Sequence, residues 1–282
     1  MSSSKSSQLK LDEIGKWSEI KLDIIGKYAH AYTTILTRHK LSPIYIDGFA
    51  GAGEHISRTT SEKIKGSPSE AFQTRPPFTK FYLVDLEGTR ADALRTLAAG
   101  RTDTKIYHRD CNDVLLNEVF PEVTRSKFNR ALCILDPYGL HLDWQVIEAA
   151  GRTGQIEIFL NFPVADMNRN VFWRRPDGVD PKDIERMNRY WGDDSWRSVV
   201  YTTEATLFEE LTVKEHDSTR AIAIAFQNRL KEKAGFKFVP EPAPMCNSKG
   251  AVVYYLFFAT PNRTAHGIVT DILNKHRREG HI

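Results

Sequence analysis

The chain has 282 residues, 41% of them hydrophobic, which suits one large α/β domain with insertions or two small domains and excludes a disordered chain. With 39 basic against 36 acidic side chains the formal net charge is +3, a balance that neither demands nor excludes a nucleic-acid partner. Its three cysteines, Cys111, Cys133 and Cys246, lie far apart without C-x-x-C spacing, which argues against a disulfide framework or a structural zinc site.

Residues 1–8 are polar and Ser-rich and read as a disordered tail with no secretory h-region. No stretch approaches 18 uninterrupted apolar residues, so the expectation is a cytoplasmic protein that does not span a membrane. From about Leu11 to His39, Ile14, Trp17, Leu22, Ile25, Tyr28, Tyr32, Ile35 and Leu36 recur at helical spacing. Short β-rich apolar runs follow at 43–47, 80–85, 105–109, 131–136 and 156–162, with helical segments between them, including 88–99 and 141–151. In the first of these helices Ser67 reads as N-cap, Pro68 as the first helical residue and Glu70 as the closing member of a capping box. Residues 54–66 are then a loop inserted after the first strand. Strand–helix alternation of this kind builds a parallel sheet covered on both faces. Residues 166–215, rich in Arg and aromatics, read as a mostly helical insertion. A helix from Asp217 to Gly235 follows, then strands at 236–239 and 251–260 joined through Asn247, Ser248 and Gly250, and a last helix over 263–278. The fold class is therefore α/β, a doubly wound, mostly parallel seven-stranded sheet with an antiparallel terminal hairpin.

The first strand runs directly into Asp47-Gly48-Phe49-Ala50-Gly51-Ala52-Gly53. Glycine there permits positive φ and close approach of a ligand, at the strand edge where open α/β sheets bind nucleotides. A phosphate-binding P-loop is excluded because Glu54 and His55 stand where Lys and Ser/Thr are needed. A dinucleotide fingerprint fails at Ile56, which occupies the third glycine position. A loop for S-adenosylmethionine needs neither the Lys nor a helix dipole, and the acid Asp47 tolerates a cationic methionine moiety. The second strand ends in Asp85, placed to accept both ribose hydroxyls, with Leu86 next to it and Glu87 as the fallback. The third ends at Asp110 and Cys111, where Asp110 is set to accept the adenine amino group. The fourth ends in Asp136-Pro137-Tyr138-Gly139. In that turn Asp136 can orient a substrate amine, Pro137 fixes the turn and Tyr138 can stack on a planar base, so that methyl transfer is mainly positioning. Asn161-Phe162-Pro163, after the fifth strand, is a candidate for the same mouth.

This succession, with Gly66-Ser67-Pro68 and the preceding helix, resembles the three-Cys-motif partner protein (TcmP) family over roughly residues 10–170. The resemblance implies a class I methyltransferase-like fold, a bacterial protein often carried on mobile elements, and a neighbouring three-Cys-motif protein as partner. The fourth-strand turn is also similar to the Asp-Pro-Phe-Gly turn of tRNA guanine-N2 dimethyltransferases, which implies a nucleobase amine as acceptor. The layout that follows is a 1–8 tail, a capping helix in 9–42, a cofactor-binding core in 43–165, a substrate-side insertion in 166–215 and a completing segment in 216–282. The expected activity is transfer of a methyl group from S-adenosylmethionine to an exocyclic nitrogen of a nucleobase, in nucleic acid or a nucleotide. The alternative is a non-catalytic protein that binds this cofactor or its demethylated product and acts through its partner. No histidine has a set of metal ligands at recognisable spacing: His108 and Asp110 share one side of a strand but lack a third. The 166–200 segment carries balanced charge, and His141 lies beside the candidate turn.

Overall fold

The computed structural model describes residues 11–205 and 210–282, so the expected 1–8 tail lies outside the described residues. Seven strands form the principal sheet: β1 (Ser42–Asp47), β2 (Lys80–Asp85), β3 (Thr104–His108), β4 (Asn129–Leu135), β5 (Ile156–Phe162), β6 (Ala243–Cys246) and β7 (Val252–Ala259). Their order across the sheet is β3-β2-β1-β4-β5-β7-β6. β1 is parallel to β2 and to β4, and β2 to β3, whereas β7 is antiparallel to both β5 and β6. By compactness the chain divides between Ile134 and Leu135 into two units.

In the first unit β1, β2 and β4 are near-continuous apolar runs, as burial on both faces of a parallel sheet requires, whereas the edge strand β3 is more polar and partly exposed. Ile44, Tyr45, Ile46, Phe81, Leu83, Leu132 and Cys133 are all buried. Helix α1 (Lys16–Arg38) turns one apolar stripe inward, with Ile24, Ile25, Tyr28, Ala29, Tyr32 and Leu36 buried. Its Tyr32 meets Phe78, which packs in turn on Tyr45 and Phe81. Each such ring contributes about 1.5–3 kcal/mol by burial, so this cluster holds α1 to β1. Helices α2 (Ser67–Gln73) and α3 (Gly88–Leu97) complete the unit's α/β alternation.

Two expectations change here. Residues 54–66 are not a plain loop: Glu54–Ser57 and Lys63–Lys65 pair antiparallel, and Glu13–Ile14 joins them as a third strand. The capping box is not formed either. The N-cap of α2 is Gly66, with no side-chain cap, because the Ser67 hydroxyl is drawn to the Asp47 carboxylate at 2.6 Å.

The second unit contains α4 (Trp144–Thr153), α5 (Val164–Asn170), α6 (Pro181–Trp191), α7 (Ser218–Glu232) and α8 (Arg263–Arg278). Phe226 on α7 packs against Phe162, Tyr190, Trp191 and Phe257, a ring cluster that ties α6 and α7 to β5 and β7. The 166–215 segment is helical only in its first part. It ends in the antiparallel pair Tyr201–Ala205 and Glu210–Lys214. The strand expected at 236–239 lies instead at 243–246, and Phe238 makes only a single bridge to Thr260. Pro240 and Pro242 interrupt the first run, and Pro244 is tolerated because β6 is the edge strand. The last helix, 263–278, forms where the sequence places it. No described helix is long and apolar enough to cross a membrane.

Candidate functional site

The glycine loop leaves the carboxyl end of β1, flanked by the ends of β2 and β4. Gly48 N donates to Ile134 O at 3.0 Å and Ala50 N to Val84 O at 2.9 Å, so the loop continues the hydrogen-bonding of both neighbouring strands before turning away. Asp47 is fully buried. Its carboxylate accepts from Phe49 N at 3.1 Å, from the Ser67 hydroxyl at 2.6 Å and from the Tyr45 phenol at 3.1 Å. Burial, with the Asp47 charge second, pushes the Tyr45 phenol well up, so it stays a donor.

Asp85 reaches the same loop from β2. One oxygen accepts from Gly51 N at 2.9 Å and the other from Glu87 N at 2.8 Å. Burial raises this carboxyl above its usual range, against the opposing effect of the two N–H groups and Arg90. Gly51 and Gly53 both have positive φ, +63° and +81°. Nothing lies within 4 Å of where a Cβ on Gly51 would be, so open space faces the backbone at that point. The far end of the loop is closed by Gly66 N and the Ser69 hydroxyl, both donating to Gly53 O at 2.8 and 2.6 Å. The 54–65 insertion thus leaves and re-enters at one point. Ser67 and Ser69, on either side of Pro68, fasten α2 to the loop. Sequence reading missed this role because serine beside Pro at a helix start is the ordinary capping signal.

Along the same edge Leu86 is an exposed apolar side chain, 71% accessible. Asp85 is in register with His108, whose imidazole lies against Gly88 at the start of α3. Asp110 is exposed and caps the short helix Cys111–Val114, accepting from Asn112 N at 2.7 Å. Cys111 is buried behind it. The first unit therefore collects Asp47, Gly48, Phe49, Ala50, Gly51, Gly53, Asp85, Leu86 and Asp110 at the carboxyl ends of three adjacent parallel strands.

In the second unit the Asp136-Pro137-Tyr138-Gly139 turn has a half-buried Asp136, a buried Pro137 and a Tyr138 that is 55% exposed. Burial raises the Tyr190 phenol well above its usual range, and the nearby Asp136 charge adds to this. Tyr190 donates to Asn161 O at 3.4 Å. Gly139 takes φ +63°, and a Cβ there would stand 2.8 Å from an Asp166 carboxylate oxygen. The glycine thus allows Asp166, on α5, to lie against the turn. Asp166 Oδ1 accepts from Asn170 at 2.9 Å. Asp166 Oδ2 and Asn161 Oδ1 are both buried and accept no hydrogen bond from the described residues. Asn161 was legible as a strand-end residue. Asp166 was not, because it lies 27 residues beyond Gly139 and looks like one of many acids in a charged segment.

The strand order β3-β2-β1-β4-β5-β7-β6 with β7 reversed, and a glycine loop after β1, define a methyltransferase-like α/β fold. Among solved structures, protein LPL1258 from Legionella pneumophila, of the DUF519 family, matches over 90% of this chain and 90% of its own, at 12% identity and a TM-score of 0.51. A candidate methyltransferase from Thermobifida fusca matches over 87% and 80%, at 13% identity and a TM-score of 0.42. The candidate methyltransferase yhhF from Escherichia coli matches over 49% and 68%, at 12% identity and a TM-score of 0.30. At 12% identity the likeness to the Legionella protein is one of fold. No family model and no curated protein matches the chain.

Proposed function

We propose that this protein is an S-adenosylmethionine-dependent methyltransferase acting on an exocyclic nitrogen of a nucleobase, in nucleic acid or a nucleotide. The observation that carries this reading is the pair of unmet buried acceptors, Asn161 Oδ1 and Asp166 Oδ2, in the unit that holds the Asp136 turn. A buried acceptor without a donor costs about 1–3 kcal/mol. It is tolerated where a ligand supplies the donor, and an amino group carries N–H donors together with the lone pair that must be aimed.

The first unit supports the cofactor half of the proposal. The space over Gly51 fits close approach of a ligand to the backbone, and Leu86 offers an apolar surface beside Asp85. S-adenosylmethionine, when bound, supplies an electrophilic methyl group. Gly51 gives its methionine part backbone access, Gly53 takes the positive φ that turns the loop, Asp85 retains lone pairs for ribose hydroxyls, and Asp110 accepts from the adenine amino group. Asp47 holds the loop in shape from within. Asp136 and the Asn161/Asp166 acceptors orient the amine, and Tyr138 stacks on its base. The TcmP resemblance fits this scheme and adds a neighbouring three-Cys-motif protein as partner.

The test is calorimetric titration with S-adenosylmethionine, S-adenosylhomocysteine and NAD, followed by radiolabelled methyl transfer to RNA, DNA and free nucleotides. Micromolar binding of the first two, and label entering a base amine, is the expected result. Binding without transfer, together with a stable complex with the neighbouring protein, would favour the non-catalytic alternative. No binding of the first two would sink the cofactor assignment.

A further inference from the structure

Helix α8 ends in Lys275-His276-Arg277-Arg278, followed by Glu279-Gly280-His281. Gly280 takes φ +69°. Its N–H donates to Arg277 O at 3.1 Å and the His281 N–H to His276 O at 3.0 Å. These are the two backbone bonds of a Schellman closure, which folds the residue after the glycine onto the residue five positions before it. That contact is ordinarily between two apolar side chains. Here it joins two imidazoles, His276, which is buried at 2% accessibility, and the exposed His281.

The rings meet through like atoms. His276 Nδ1 and His281 Nδ1 are 3.3 Å apart, and His281 Nδ1 is 3.4 Å from Glu279 Oε2. One ligand atom from each of the three residues lies within 4.8 Å of the others. A tetrahedral zinc ion with bonds of about 2.0–2.1 Å has neighbouring ligand atoms about 3.3 Å apart. The two separations from His281 Nδ1 match that edge length. Two imidazole nitrogens and a carboxylate are a ligand set zinc accepts, with a fourth position left to water where Glu279 and His281 face solvent.

We propose that His276, Glu279 and His281 form a zinc-binding site that clamps the C-terminal end of α8. The helix carbonyl end favours a cation there. Lys275, whose Nζ is 3.9 Å from the other Glu279 oxygen, and Arg278 oppose one. The balance predicts micromolar rather than tighter affinity. The inference stands apart from the methyl-transfer reading, since none of its residues serves that site. No linear pattern signals it, because the intervals from 276 to 279 to 281 become a ligand set only through the turn at Gly280.

The test uses the untagged full-length chain, stripped with chelator and titrated with zinc chloride alone by calorimetry and by thermal melting. One ion per chain and a raised melting temperature are expected. His281→Ala, an exposed change, should weaken binding by at least about tenfold and abolish the zinc-dependent melting shift. Glu279→Gln should weaken it less, and His30→Ala, an exposed histidine on α1, should leave it unchanged. Matching melts of His281→Ala and the parent without zinc check that the fold is intact. Absence of zinc binding in the parent would overturn the proposal, and so would one-equivalent binding that survives both His281→Ala and Glu279→Gln.

Discussion

The glycine loop of the first unit and the Asp136 turn of the second follow neighbouring strands, yet they are built on opposite plans. In the loop, acceptors are spoken for from within: Asp47 by Phe49, Ser67 and Tyr45, Asp85 by Gly51 and Glu87, Gly53 O by Gly66 and Ser69. In the second unit, buried acceptors at Asn161 and Asp166 have no donor among the described residues. On the proposed reading, a cradle that receives the same cofactor in every cycle gains from being fully braced before the ligand arrives. On the same reading, a site that aims a substrate nitrogen gains from acceptors that only the substrate satisfies. The contrast can be broken by mutation, and the two regions should fail differently.

The largest effect is expected at Asp136. Asp136→Ala should lower kcat for methyl transfer by about 10²–10⁴-fold, the range for loss of a group that positions or takes a proton, while the calorimetric affinity for S-adenosylmethionine stays the same. Full activity in that variant would show that the turn is only a turn. Next comes Asp85. Asp85→Ala removes the partner of Gly51 N and should weaken cofactor binding by about 10–100-fold, at roughly 1–3 kcal/mol per lost charged hydrogen bond. It should also lower stability, since the Gly51 N–H is left buried. Unchanged affinity on isothermal titration would reassign the ribose contact to Glu87.

Asn161 sharpens the comparison further because its two readings predict different outcomes for activity. If its side-chain oxygen is merely a packing compromise, Asn161→Leu leaves activity alone. If it awaits a substrate amine, Asn161→Leu should hold or raise the melting temperature, since removing an unpaired buried acceptor relieves its cost, while kcat/KM falls about tenfold, a loss near 1.4 kcal/mol. A variant that loses stability and activity together would point to a structural role instead.

These regions also differ in how far they could be read from the sequence. The loop, the acids after the first four strands and the 263–278 helix follow from local composition: glycines at a strand end, apolar runs of strand length and a helical stripe near the end. Four features did not. Ser67 looked like an N-cap, because nothing local says that a carboxylate 20 residues earlier outbids the helix terminus for its hydroxyl. The 54–65 pairing depends on Glu13–Ile14, which only the fold brings alongside. Asp166 reaches the turn because Gly139 lacks a side chain, a fact of two positions at once. His276 and His281 meet only through the turn at Gly280. In each case the missing information is a tertiary distance, which periodicity and capping rules do not carry.

Glu122 provides the smallest effect and a control for the comparison, since it lies in the first unit but belongs to neither site. Its carboxylate accepts from Lys80 at 2.6 Å, Tyr82 at 2.5 Å and Lys105 at 3.2 Å. Led by the Lys80 and Tyr82 hydrogen bonds, its pKa is lowered from 4.5 to about 2. A depressed carboxyl contributes stability that is fully present above its unfolded pKa and is lost as pH falls from there through the folded value. The window is therefore from 4.5 down to about 2. With one-third of the side chain exposed, solvent screening holds the contribution to about 1 kcal/mol. Glu122→Gln should melt lower than the parent at neutral pH by that small margin, and the gap should close between pH 4.5 and 2. Cofactor affinity and turnover at neutral pH should not change. A gap that persists unaltered in acid would mean that the network stabilises by packing rather than by charge, and a loss of cofactor affinity would mean that bracing of the β2 end extends the length of the strand.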